Sequence, residues 1–171
     1  FNSRDFSIWQ DSGEADIQFN DNGDGVSILT ISGTEAGQIS QTMTGLTPGQ
    51  KYRAIIWAGS ENGKTARITV KDGDKVYSNY VDQTVRANNC FDTYARNMRV
   101  DRLWVDFTAT ETTAEIVLSA DACENATGKA TFMQSRIVET ADPGFPTSDP
   151  TKNYAAYETF EYVEQGGTGV F

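Results

Sequence analysis

The chain has no histidine, and among its 171 residues only two are cysteines, Cys90 and Cys123. The lack of histidine excludes two-histidine metal sites and serine–histidine triads. The cysteines lie in separate polar stretches without CxxC spacing, so a thiolate zinc site is excluded as well. Two alternatives remain for the cysteines, a disulfide between Cys90 and Cys123 or two separate thiols.

Basic residues are also scarce, because 14 of them stand against 24 acidic residues and the net charge is -10. This balance disfavours nucleic acids and anionic membrane surfaces as partners. No run approaches the roughly 20 apolar residues that cross a bilayer, so no membrane insertion is predicted. The chain begins at Phe1 without a basic and apolar leader, and we therefore interpret it as a fragment of a longer exported protein.

Long amphipathic helix patterns are absent, and about nine short strand-like runs alternate with turn signals along the chain. The length suits one β-sandwich. We therefore predict an all-β jelly roll of two antiparallel sheets. The predicted strands are Phe6–Gln10, Val26–Ser32, Ile39–Met43, Tyr52–Ala58, Ala66–Lys71, Val76–Val81, Arg99–Ala109, Glu115–Ala120 and Ala130–Glu139.

The stretch from Gln38 to Ser60 joins two such runs through a turn that contains Gly45, Pro48 and Gly49. These residues break helices and favour turns, so the stretch is predicted to be a β-hairpin. In its second strand, alternation places two sets of side chains on opposite faces. The sets are Tyr52, Ala54 and Ile56 on one face, and Arg53, Ile55 and Trp57 on the other.

Three further segments carry a more specific resemblance: VYSNYVDQTV from Val76, RVDRLWVDFTAT from Arg99 and ATFMQSRIVE from Ala130. In this order they resemble the galactose-binding-like accessory domain of endo-alpha-N-acetylgalactosaminidases, glycoside hydrolase family 101. The similarity covers about Phe6 to Glu139. The chain departs from the family at Met133–Ser135, where relatives often carry paired acidic residues.

The resemblance implies a non-catalytic domain of a secreted or cell-surface bacterial enzyme that acts on mucin-type O-glycans. Its expected roles are to brace the catalytic domain and to bind galactose or GalNAc glycans, and its expected partners are neighbouring domains of that enzyme. The alternative is an independent carbohydrate-binding module of another bacterial glycoside hydrolase.

The composition changes after Glu139, since residues 141–156 hold three of the four prolines together with Ser, Thr and Gly. Such a segment is typical of an extended linker. We therefore predict a β-sandwich over 1–140 and a linker over 141–156. Residues 157–171 are predicted to start the next domain or to add one edge strand.

Glycoside hydrolysis normally needs a pair of carboxyl groups, and no convincing pair is recognisable. Several acidic residues lie in turns, where their side chains favour local backbone hydrogen bonds. These residues are Asp21, Asp24, Asp72 and Asp74. There is no GxSxG motif either, so no active site is predicted.

The loop from Asn20 to Gly25, NDNGDG, imitates the first half of a calcium-binding loop. The twelfth position should be Glu and is Ile31, so a turn between strands is predicted instead. The resemblance allows one structural calcium, for which Asp21 and Asp24 are weak candidate ligands. No cofactor is predicted to be required.

A sugar platform needs an exposed aromatic ring beside polar groups. Alternation in RLWVDFTA places Leu103, Val105, Phe107 and Ala109 on one face, and Arg102, Trp104 and Asp106 on the other. Trp104 is therefore the first candidate for stacking on sugar, unless a loop or a neighbouring domain covers it. Trp57 is the second.

The long segment between Val81 and Met98 contains polar side chains that could bond sugar hydroxyls, among them Asn88, Tyr94 and Arg96. Long loops often carry function. The alternative is a covering loop that packs on the next domain.

Overall fold

The computed structural model describes residues 8–21, 27–82, 93–95 and 98–139. Within these ranges the chain forms eleven β-strands, and no helix there is long and apolar enough to span a bilayer. The strands are β1 Gln10–Gly13, β2 Asp16–Asp21, β3 Ser27–Ser32, β4 Gly37–Thr44, β5 Lys51–Glu61, β6 Ala66–Asp72, β7 Lys75–Val81, β8 Thr93–Ala95, β9 Met98–Thr108, β10 Thr113–Ala120 and β11 Lys129–Glu139.

The strands form two sheets with purely antiparallel pairing. One sheet has five strands in the order β1-β4-β10-β6-β7, and the other has six in the order β2-β3-β11-β5-β9-β8. The prediction of an all-β sandwich with two antiparallel sheets is confirmed. The non-sequential order means that most neighbours in a sheet are distant in sequence.

The core lies between the sheets and is filled by alternate side chains of both inner faces. Ile31, Ile68, Leu103 and Ile116 are each fully buried there. Burial of an aliphatic side chain of this size stabilises the fold by about 1.5–3 kcal/mol. Because the strand period is two, the residues between them face outward.

The predicted hairpin between Gln38 and Ser60 is wrong, because β4 and β5 lie in different sheets. The turn instead crosses the roughly 10 Å between the sheets, which needs only a few extended residues. Three backbone hydrogen bonds fix it to the β9–β10 connection: Leu46 N to Thr112 O (3.0 Å), Gly49 N to Ala109 O (2.8 Å) and Ala109 N to Gln50 O (3.0 Å). Gly45 and Gly49 have φ of 82° and 86°, values that favour glycine.

The first predicted strand, Phe6–Gln10, is also wrong in its described part, since Ile8 and Trp9 lie outside any strand and β1 begins at Gln10. Three observed strands, β1, β2 and β8, were not predicted. The β1 sequence QDSG has no strand pattern, and it is extended because it pairs with β4 from Gln10↔Ser40 to Gly13↔Gly37. Tertiary pairing therefore overrides local propensity here.

Asn20 and Asp21 of the predicted turn NDNGDG lie in β2, which pairs with β3 up to Asp21↔Ser27, and the rest of that turn lies outside the described residues. Ile31 lies in β3 as expected. Asp72 was expected to bond the backbone of its own turn, and this expectation is wrong. The residue is fully buried. Its carboxylate accepts hydrogen bonds from the distant Thr110 N at 2.7 Å and Glu111 N at 3.3 Å, not from its own turn.

Candidate functional site on the outer face of the six-stranded sheet

Strands β5 and β9 bring the predicted sugar-binding residues together on the outer face of the six-stranded sheet. The register pairs Arg53 with Asp106, Ile55 with Trp104 and Trp57 with Arg102. These six residues are called the Arg–Trp face below. The predicted parity of both strands is confirmed, because Leu103 and its alternates lie in the inner core.

Two guanidinium groups pack against the two indole rings of this face. The Cζ of Arg53 lies 5.0 Å from the ring centroid of Trp104, and the Cζ of Arg102 lies 5.9 Å from that of Trp57. Contacts of this kind contribute about 0.5–2 kcal/mol, with the larger values at desolvated sites. They hold each tryptophan in one orientation on the sheet.

Arg53 also forms a bidentate salt bridge with Asp106. Its Nε donates to Oδ1 at 2.6 Å and its Nη2 donates to Oδ2 at 2.8 Å. This parallel geometry is the strongest and most directional form of arginine–carboxylate pair. Both oxygens of Asp106, the one carboxylate among these six residues, are therefore bound.

The two tryptophans differ in exposure. Trp104 is only 7% exposed and forms a small apolar cluster with Ile55 and Val138, whereas Trp57 is partly exposed. The expectation that Trp104 offers an openly exposed ring is therefore wrong in this structure. Arg102 is fully buried, while Asp106 keeps 39% of its side chain exposed.

Strand β11 extends the face beside Trp57. Met133 pairs with Trp57 and is 4% exposed, and the register then shifts between Met133 and Arg136. Such a bulge locally bends a strand and changes where its side chains point. The bulge falls at Gln134 and Ser135.

The other predicted residues are not brought to this face by any described contact. Tyr94 lies in β8, of which only the backbone is described, and Asn88 and Arg96 lie outside the described residues. The same holds for Asp24, and for Asp21 only the backbone position at the end of β2 is described. Within the described ranges, no three His, Cys, Asp or Glu residues cluster as metal ligands would.

The possible disulfide is not formed in this structure, because Cys123 is a free thiol. Its Sγ is 3.5 Å from Gly33 O and 3.4 Å from Asn125 O, and the single S–H shares one weak hydrogen bond between these two acceptors. Cys90 lies outside the described residues, as do the predicted linker 141–156 and the segment 157–171.

Arg53, Ile55 and Met133 were not predicted as members of the site. Arg53 and Ile55 share the parity of Trp57 in β5, so alternation alone could have added them. Met133 is placed by the pairing of β11 with β5, which no local pattern reveals.

Several solved structures share this fold. TmCBM61 in complex with beta-1,4-galactotriose aligns with a TM-score of 0.54 at 18% identity, covering 78% of this chain and 90% of that one. A structure described as CBM4 has a TM-score of 0.51 at 12% identity, covering 77% and 86%. The CBM22-1–GH10 modules of Clostridium thermocellum xylanase 10B, complexed with xylohexaose, give 0.50 at 13%, covering 83% and 28%.

At these identities the structural similarity establishes the fold alone. The family is established by sequence, since residues 1–131 match endo-alpha-N-acetylgalactosaminidase, domain 5. The match spans β1 to β10 and the first residues of β11. The chain therefore belongs to the domain 5 family of the endo-alpha-N-acetylgalactosaminidases.

Proposed function

We propose that this domain is a non-catalytic glycan-binding part of an extracellular or cell-surface glycosidase that acts on mucin-type O-glycans, with Trp57 as its sugar-stacking ring. The observation that carries the proposal is the partly exposed indole of Trp57, held between Arg102 and Met133 on a sheet face. Family membership supports the proposal that the parent protein is an endo-alpha-N-acetylgalactosaminidase. The complex of TmCBM61 with galactotriose is compatible with galactose as the ligand.

Trp57 suits this role better than Trp104 because stacking needs an accessible ring face. The buried Arg102 orients the Trp57 ring from within the face, and Met133 supports it from the adjacent strand. Trp104 instead contributes to the rigidity of the face through Ile55 and Arg53. A sugar that stacks on Trp57 therefore meets a preorganised surface, which lowers the entropy cost of binding.

The exposed part of Asp106 is the second group that sugar hydroxyls can reach. Each of its oxygens accepts one bond from Arg53 and keeps a further lone pair. Asp106 lies beside Arg53, and Arg53 is four residues from Trp57 in β5. Asp106 and Trp57 are therefore separated by about 13 Å along the strand direction. A monosaccharide stacked on Trp57 cannot span this distance, so the face favours an oligosaccharide.

We expect weak binding. One stacked ring contributes about 1–3 kcal/mol, by analogy with base stacking on aromatic side chains, which alone corresponds to millimolar affinity or poorer. Tethering to a catalytic domain that acts on the same glycans would raise the effective concentration. In this proposal no metal is required, and any calcium ligation by Asp21 or Asp24 stays a prediction.

The test is an NMR titration of the protein with galactose, GalNAc and galactosyl-GalNAc disaccharide. The shifts should be largest for the disaccharide and centred on β5, β9 and β11. Trp57→Ala should abolish them. The matched control is Tyr80→Ala, since Tyr80 also packs against an arginine, Arg67 at 4.8 Å, but on the outer face of the opposite sheet.

Loss of binding in Tyr80→Ala with retention in Trp57→Ala would move the site to the other sheet and refute the assignment. A second candidate function is to brace the catalytic domain, and membership of a family that forms domain 5 of a larger glycosidase is compatible with it. Unchanged spectra with every sugar would support this architectural function over glycan binding.

A further inference from the structure

Lys64 is fully buried, which is rare for a lysine unless its charge is paired. It lies in the short connection between β5 and β6. Its ammonium donates one hydrogen bond to the carbonyl of Gly33 at 2.8 Å and another to the carbonyl of Glu35. Both acceptors are main-chain oxygens of the β3–β4 connection. In these two hydrogen bonds the partners of the ammonium group are therefore neutral carbonyl groups and not carboxylates.

The backbone of Lys64 is fixed by its own connection. Its N–H donates to Glu61 O at 3.2 Å, and the Ser60 hydroxyl donates to its carbonyl. Asn62 and Gly63 precede it with φ of 54° and 85°, the left-handed pair that makes a sharp reversal. The lysine stem therefore starts from a defined position.

A third connection, between β10 and β11, meets the other two at the same point. Cys123 N donates to Thr34 O at 2.8 Å, and Gly33 N donates to Gly128 O at 3.0 Å. The Cys123 thiol shares the Gly33 carbonyl with Lys64. Each of the three connections crosses from one sheet to the other. They lie at the same end of the sandwich, because Lys129, at the start of β11, pairs with the last residues of both β3 and β5.

We propose that these connections form a cation site of main-chain carbonyl oxygens and that the Lys64 ammonium is its permanent occupant. Carbonyl oxygens are good acceptors for an ammonium group and good ligands for hard cations. This site is independent of the proposed glycan-binding face, and either proposal can fail without the other.

The first consequence is that the side chain cannot be replaced by an apolar one of similar length. Lys64→Met removes the ammonium donor of the Glu35 carbonyl and leaves the Gly33 carbonyl with only the weak Cys123 thiol donor, so it should lower the melting temperature by about 10 °C. Lys75→Met is the matched control, since Lys75 is exposed in β7, and it should melt with the parent protein. Equal melting of Lys64→Met and the parent would overturn the proposal.

The second consequence is chemical rescue. Lys64→Ala should be destabilised and should regain part of its melting temperature in ethylammonium chloride, because ethylammonium fits the vacated space and donates hydrogen bonds. Tetramethylammonium chloride at the same concentration should not restore it, since that cation has no donor. Lys64→Met should not respond to either salt. Equal recovery in both salts would show a general salt effect and contradict the proposal.

The unmodified protein provides a test that does not depend on folding of the variants. Nitrogen-15 NMR of the lysine side chains should show one ammonium group with slow hydrogen exchange, coupled across a hydrogen bond to the labelled carbonyl of Gly33. If every lysine ammonium exchanges rapidly, the buried site does not exist in solution.

Discussion

Removal of the salt bridge between Arg53 and Asp106 by substitution should lower the free energy of unfolding more than the loss of an ordinary surface ion pair does. The side chain of Arg53 is 3% exposed and its guanidinium packs on Trp104, so the charge cannot regain full hydration when its partner is removed. In Asp106→Ala the arginine loses two charge-assisted hydrogen bonds at once. In Asp106→Asn one acceptor oxygen remains, so the loss should be smaller.

The magnitude follows from the burial of the two partners. Removing one partner of a fully buried pair costs about 3–5 kcal/mol, whereas an exposed pair is worth about 0–1 kcal/mol. Asp106 is 39% exposed, so solvent screening places this pair between the two limits. We expect a coupling free energy of about 2 kcal/mol, and Asp106→Ala should lower the melting temperature by about 6 °C.

The assay is a double-mutant cycle by urea unfolding, with Arg53→Met, Asp106→Ala and the double variant. The cycle cancels the loss of the Trp104 contact, which Arg53→Met also causes, and isolates the salt bridge. A parallel cycle on Lys71 and Glu115, an exposed pair at 2.9 Å, is the control. If the Arg53–Asp106 coupling is no larger than that of the control pair, the reasoning from burial is wrong.

Two other predictions concern the five-stranded sheet. The hydrogen bond from Lys71 lowers the pKa of Glu115 below its ordinary 4.5, so its small stabilisation is present above that pH and lost as the pH falls through the lowered pKa. Glu115→Gln should therefore flatten the acid limb of the stability–pH curve, and an unchanged limb would argue against it. Asp72→Ala leaves the amides of Thr110 and Glu111 unpaired and should cost about 2–4 kcal/mol in urea unfolding, while a cost below 1 kcal/mol would contradict this.

The amino-acid sequence by itself determined the fold class and the side of the sheet on which each site residue lies. Alternation in β5 and β9 separates Trp57 and Trp104 from the core because successive side chains of a strand point to opposite faces. This rule is local, so it needs no knowledge of the neighbouring strand. The family resemblance rested likewise on local segments in a fixed order.

Tertiary structure alone decided which strands pair and which side chains are buried. β4 and β5 are adjacent in sequence yet lie in different sheets, while β5 pairs with the distant β9 and β11. These pairings bury Trp104 and leave Trp57 partly exposed, although both have the same parity. They also bury Lys64 among carbonyls of the β3–β4 connection. The reason is physical: burial depends on contacts between segments far apart in the chain, which local periodicity does not encode.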